Sequence, residues 1–270
     1  KAKSLSYSAL KKITAEKKYA SAGFIVSDLV PVGTITNLFE DKLGTTGPDE
    51  IVVDIGKRQG IEKGDQFTVY TLDRYIYHPV LEGDMFEKLG EYTRRKGYEH
   101  KMVPHPGKPV GHRVMIQGVV EITELGDEIS YARVVKAYES IEAGYLLTHY
   151  KKYVDKTSAY SEIDKSLEGY IVACKGDKIG ISEGDFIYID KGWENEVRPG
   201  DRFEVYSLPV VDDKVWYKFG FGKKPLLPYV RGEIKIIDTQ KKTATAIVVK
   251  SRIDMVIGDQ IRFKRSNHPG

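Results

Sequence analysis

A chain of 270 residues has room for two ordinary domains, each large enough to bury its own core. With 41% hydrophobic and 30% charged residues it has the composition of a globular protein, not of a disordered or fibrous one. A net charge of +3, from 42 basic against 39 acidic residues, lacks the surplus of a dedicated nucleic-acid binder, and the single cysteine, Cys174, excludes an intramolecular disulfide and a cysteine-built metal site.

No apolar run approaches the roughly 20 residues that cross a bilayer. Neither end resembles a signal peptide, and a start at Lys1 leaves room for a removed leader. In chain order, the first predicted element is a helix over Leu5 to Tyr19, with Leu5, Ala9 and Ile13 on one face. Everything after it reads as strand and turn. Gly23-Phe24-Ile25-Val26 opens the first domain, Ile51, Val53 and Ile55 alternate as in a half-buried strand, and Phe67 and Val69 do the same within Gln66 to Tyr70. A segment of about residues 71–113 follows, rich in charge and tyrosine. Ala132 and Val134 mark a later strand of small and β-branched residues. The polar stretch 151–168 is the expected linker.

Beyond the linker the pattern starts again. Ile51 to Tyr70 and Ile187 to Tyr206 align without a gap at a shift of 136, sharing Ile51/Ile187, Asp54/Asp190, Gly56/Gly192, Gly64/Gly200, Asp65/Asp201, Phe67/Phe203, Val69/Val205 and Tyr70/Tyr206. Unrelated stretches of that length would share about one identity. A second block at a shift of 114 joins Gly118/Gly232, Ile122/Ile236, Ala132/Ala246, Val134/Val248, Val135/Val249, Lys136/Lys250 and Gly144/Gly258. The fall from 136 to 114 gives the first repeat 22 more residues between Tyr70 and Gly118. Pairing the opening tetrad with Gly169-Tyr170-Ile171-Val172 gives it a further ten before Ile51.

Between the strands stand Gly64-Asp65, Gly184-Asp185, Gly200-Asp201 and Gly258-Asp259, where glycine supplies a positive φ and aspartate bonds a nearby N–H. Many short strands with regular turns predict a mainly β fold of two tandem small barrels or sandwiches with a short N-terminal helix. The expected division is 1–20 helix or linker, 21–150 first repeat, 151–168 linker and 169–265 second repeat.

These motifs resemble a repeated β-domain of Gram-negative envelope proteins, found after LysM domains and at the C-terminus of flagellar assembly protein T. The matching residues are the Gly-aromatic-Ile-Val opening, the Ile-x-x-Asp-x-Gly strand end, the Gly-Asp-x-Phe-x-Val-Tyr strand, and the late Ala-x-Val-Val strand leading to Ile257-Gly258-Asp259-Gln260-Ile261. His78-Pro79 resembles a proline-containing turn that follows the Tyr strand there. Glu196 departs from the glycine at Gly60, Tyr145 stands where the closing Gly-Asp has its acid, and no LysM domain is present. The resemblance implies a scaffold in the periplasm or associated with the outer membrane, a component of a flagellar or other envelope-spanning machine.

The recurring Asp54, Asp65, Asp190 and Asp201 sit beside glycine at strand ends, which points to turn chemistry; no pair stands out as the two carboxylates of a glycosidase cleft. His100, His105 and His112 are spaced by five and seven residues, which fits no zinc template. Cys174 reads as a small buried hydrophobe in a strand, and Gly220 to Lys224 lacks the spacing of a phosphate loop. No catalytic residue, metal or cofactor is expected. The candidate partner-binding residues are Tyr92, Arg94, Arg95, Lys96, Tyr98, Lys101 and Met102 of the basic insertion, which also holds Lys108 and Arg113, and Trp216, Tyr217, Phe219 and Phe221 of the second repeat. The expected partners are other envelope proteins in a homo- or hetero-oligomeric assembly. Peptidoglycan binding is the alternative, and nucleic acid a more distant third.

Overall fold

The computed structural model describes residues 18–39, 42–82, 107–151, 166–207 and 227–264. Their structure is mainly β, with two sheets and negligible helix. Lys18 to Ala20 are helical, and the rest of the expected N-terminal helix lies outside the described residues. Two compact units divide the chain. The first takes residues 27–74 and 112–155 with the N-terminus, the second 156–270 together with Phe24–Val26 and residues 75–111.

The sheet of the first repeat contains β1 (Phe24–Val26), β2 (Gly33–Leu38), β3 (Glu50–Val53), β4 (Gln66–Glu82), β5 (Gly107–Glu124), β6 (Ser130–Ala137) and β7 (Leu146–His149). Their order is β1-β5-β4-β7-β2-β3-β6, and pairing of β5 with β6 brings the last six into a ring. In the second repeat, β8 (Glu168–Cys174), β9 (Phe186–Ile189), β10 (Arg202–Ser207), β11 (Tyr229–Thr239), β12 (Ala244–Ser251) and β13 (Gln260–Phe263) form a closed barrel, β10-β11-β12-β9-β8-β13. Exchanging β2, β3, β4, β5, β6 and β7 for β8, β9, β10, β11, β12 and β13 turns one ring order into the other.

The cores match position by position. Ile35, Ile51, Phe67, Val69, Ile122 and Ala132 fill the first, and Ile171, Ile187, Phe203, Val205, Ile236 and Ala246 fill the second. Alternation does this, because a strand directs every second side chain inward. Cys174 lies in the second core, where its thiol donates to the Lys178 carbonyl at 3.5 Å.

Those pairs correct the alignment at the start of the repeat. Gly33 of β2, not Gly23, is the counterpart of Gly169, so the shift of 136 holds from Gly33 to Tyr70 and the ten extra residues disappear. The Asp54 carboxylate accepts the Thr34 N–H as the Asp190 carboxylate accepts the Tyr170 N–H. A Cβ on either glycine would run into the aspartate concerned. Gly23-Phe24-Ile25-Val26 belongs instead to the additional strand β1. His78-Pro79 also differs from the expected turn, for β4 continues through both residues to Glu82.

Five turns share one construction. In Gly64-Asp65 the glycine N–H donates to the Ile122 carbonyl and the Asp65 carbonyl accepts the Ile122 N–H, each at 2.9 Å. Gly144-Tyr145 grips Ile35 in this way, Gly184-Asp185 grips Val248, Gly200-Asp201 grips Ile236 and Gly258-Asp259 grips Ile171. Every one of these glycines has a positive φ, between 87° and 103°. In the four turns with aspartate the carboxylate also accepts the N–H three residues earlier, from Glu62, Ser182, Arg198 and Val256 at 2.9–3.0 Å.

Gly56 and Gly192 are required for another reason. A Cβ on Gly56 would lie 2.5 Å from the Gly126 carbonyl oxygen, and one on Gly192 would collide with the Gln240 carbonyl. Each opens a single 3-10 turn, Lys57–Gln59 and Trp193–Asn195. The residue that ends the turn is left-handed in both repeats, Gly60 at φ 76° and Glu196 at φ 61°. The departure at Glu196 is thus a side chain held where glycine is at ease. Glu196→Gly should raise the unfolding free energy by roughly 0.5–1 kcal/mol, relief of about 1–2 outweighing the added backbone entropy of about 0.5–1. Urea denaturation of E196G checks this, with G60E expected to move the midpoint the other way.

Candidate functional site

The second unit contains a second apolar cluster outside its barrel core. Ile25 of β1 and Ile76 of β4 pack with Val172 and Ala173 of β8 and Tyr188 of β9, with Val110 of β5 at the margin. Along β4, Ile76 and His78 are buried while Tyr77 and Leu81 are exposed, the alternation of a strand laid with one face on an apolar surface. The Thr243 hydroxyl adds a buried hydrogen bond to the Ile25 carbonyl at 2.6 Å.

His78 is the polar centre of this seat, with only 4% of its surface exposed. Its Nδ1 accepts the N–H groups of Val80 at 3.1 Å and Leu81 at 2.9 Å. The proton therefore sits on Nε2, which lies 3.3 Å from Oδ2 of Asp190. The Tyr170 ring meets the imidazole edge-on at 5.3 Å between centroids. Asp190 also accepts the Tyr170 N–H at 2.8 Å and lies 3.4 Å from the Lys191 ammonium. Burial by itself raises the carboxyl, yet the bonds from His78 and Tyr170, with Lys191 and His78 alongside, hold it below the ordinary value.

This His–Asp pair has the residue types of a catalytic dyad but not the wiring. A general base needs a nitrogen free to take a proton, and both imidazole nitrogens are occupied. What the arrangement does is fasten residues 75–82 onto β8 and β9. Gly107 completes it, lying so close to the His78 carbonyl that a Cβ would overlap the oxygen.

The insertion residues Tyr92, Arg94, Arg95, Lys96, Tyr98, Lys101 and Met102 lie outside the described residues, as do Trp216, Tyr217, Phe219 and Phe221. Both sets occupy the same place in the repeat, between β4 and β5 and between β10 and β11. His100 and His105 are likewise outside. Of the remaining basic residues of the insertion, Lys108 is exposed, whereas Arg113 is buried and paired through Nε to Asp73 at 2.8 Å. Arg113 is therefore not part of an open basic face. Among the described residues no group of three His, Cys, Asp or Glu side chains is placed to hold a metal ion.

Sequence reasoning named His78 for its proline neighbour and Asp190 for its turn, without joining them. The signal that could have joined them is weak: Asp54 and Asp190 are equivalent, and a buried histidine needs an acceptor. No known protein-family model matches the chain, and no curated protein does.

His78→Ala should cost about 2–3 kcal/mol, since it takes away the acceptor of the Leu81 N–H and one of the donors to a buried carboxylate. Asp190→Asn should cost less and should flatten the acid limb of the stability curve. A carboxyl with a lowered folded value contributes stability that is present above the unfolded value near pH 3.9 and is lost as pH falls through the folded one. Denaturation midpoints at neutral pH and below pH 4 check both expectations.

Proposed function

We propose that this chain is a non-catalytic assembly module of the bacterial cell envelope, whose two barrels present unlike insertions to other envelope proteins. One observation carries the reading: the residues common to both repeats are used for backbone shape. Asp54 and Asp190 hold β2 and β8, Gly56 and Gly192 permit close backbone approach, and the Gly-Asp pairs grip a neighbouring strand. What differs between the repeats is concentrated in the segments after Tyr70 and Tyr206. Rigid frames with divergent loops suit recognition better than chemistry. The arms of the first insertion, 75–82 and 107–111, are moreover clamped by His78, Asp190 and the Ile25–Ile76 cluster.

Placement in the periplasm or at the outer membrane, within a flagellar or other envelope-spanning machine, rests on the resemblance of the repeat. No helix among the described residues is long and apolar enough to cross a membrane. A glycan-binding reading draws on half-exposed aromatics such as Trp193 and Tyr77, and retention on purified peptidoglycan would favour it.

Replacing residues 84–105 by a short Gly-Ser link should leave the thermal midpoint within about 2 °C, because the buried arms are kept. It should also remove the proteins that co-purify with the tagged chain from native membranes. Recovery of the same proteins by the shortened chain would overturn the role of the insertion.

A further inference from the structure

The outer face that is covered in the second unit has an uncovered counterpart in the first. In the second unit Val172, Ala173, Tyr188 and Thr243 are buried, and Ile25 and Ile76 pack on them or bond to them. The same positions of the first repeat are Thr36, Asn37, Val52 and Ile129, of which Thr36 and Asn37 are exposed and Ile129 is 57% exposed. Next to them β6 directs Tyr131, Arg133 and Val135 outward, with Tyr131 and Val135 each 42% exposed. Phe39, 40% exposed, meets the Tyr131 ring at 5.6 Å, and Val52 of β3 is paired with Tyr131 across the strands. Phe39, Val52 and Tyr131 thus form an apolar patch on a sheet face, with Ile129 before it and Arg133 and Val135 after it along the chain. Such patches mark interaction surfaces.

The second repeat also has an insertion at the place equivalent to the first. Residues 75–82 and 107–111, the arms between which the first insertion lies, are seated on β8 and β9. The segment 208–226 stands at the equivalent place between β10 and β11, and its flanking residues Leu227 and Tyr229 are 87% and 51% exposed. Its sequence carries Trp216, Tyr217, Phe219 and Phe221 with Lys214, Lys218, Lys223 and Lys224 against Asp212 and Asp213. That apolar and net basic composition complements an aromatic and aliphatic patch bordered by the exposed Asp54 and Glu50, with Arg133 opposite Glu50. Asp54 stands where Asp190, in the second unit, holds His78.

We propose that the outer face of β3 and β6 in the first unit seats the segment 208–226 of a second copy of this chain, so that copies join head to tail. The proposal rests on the assembly-module reading and names one partner for it, the chain itself. Contact between unlike surfaces is heterologous, closing into a ring where the rotation allows and otherwise extending into a filament.

The test uses two variants of the full chain, Tyr131→Glu on the face and the double change Trp216→Ala with Phe219→Ala on the segment, each first shown by its melt to be folded. In sedimentation velocity at rising concentration the parent chain should form species larger than a monomer. Each variant alone should associate at least about thirtyfold more weakly, the loss expected of a central aromatic anchor. Mixed together, the two variants should form a dimer and nothing larger, since between them they retain one intact face and one intact segment. A parent chain that stays monomeric, a Y131E chain that still assembles, or a mixture that does not dimerise would overturn the proposal. Envelope proteins still captured by a monomeric parent chain would show that the assembly-module reading survives without self-association, and their absence would bring down both.

Discussion

A ring of six strands holds together only if the backbone groups at each strand entrance find partners, and here the gripping turn supplies them. A glycine with positive φ points its N–H at a neighbouring strand while the next carbonyl accepts from the same residue there. One Ile or Val is thereby fixed in register by two bonds outside the ordinary ladder. A ring also leaves its members without a free edge, so an error at one entrance would be felt around the whole circuit. The aspartate that follows adds a third bond, back to the N–H three residues earlier, and so stiffens the turn. Gly144-Tyr145 keeps the grip and lacks the carboxylate, with Tyr145 packed against the core instead.

Much of this was legible in the sequence because it is periodic or duplicated. Phe67 and Val69 with Phe203 and Val205 announced core-facing strands, and the Gly-Asp pairs announced turns. Gly56/Gly192 and Gly118/Gly232 stood out only as identities, and close backbone neighbours explain both. The start of the repeat was misread because Gly23-Phe24-Ile25-Val26 looks more like Gly169-Tyr170-Ile171-Val172 than Gly33-Thr34-Ile35-Thr36 does. A strand is defined by the backbone bonds it makes, and the matched grips on Ile35 and Ile171, with the Asp54 contact to Thr34, reveal the true partner. The seat around His78 was invisible for a related reason: its members are scattered from Ile25 to Thr243, and no local pattern links them.

The exteriors of the two barrels show how one frame was adapted twice. In the second, Arg202 and Lys264 both pair with Glu233, and Arg262 pairs with Glu204 while lying over the Tyr206 ring at 5.3 Å. The equivalent Tyr70 of the first repeat is fully buried, and burial raises its hydroxyl above the ordinary value. Equivalent tyrosines on equivalent strands are thus both buried, and at Tyr206 a cation lies over the ring. Duplication kept the frame and left its outer surface free to diverge.

The allotment of residues 75–111 to the second unit bears on how the protein is made. Synthesis runs from the N-terminus, so Ile25, Ile76 and His78 leave the ribosome well before β8, β9 and Asp190 exist to receive them. Until then Ile25 of β1 and Ile76 of β4 lack the surface of β8 and β9 on which they pack in the finished protein. The same order means that the last barrel to be translated closes against a surface already waiting. Completion of the nascent protein is therefore a docking event as much as a local one.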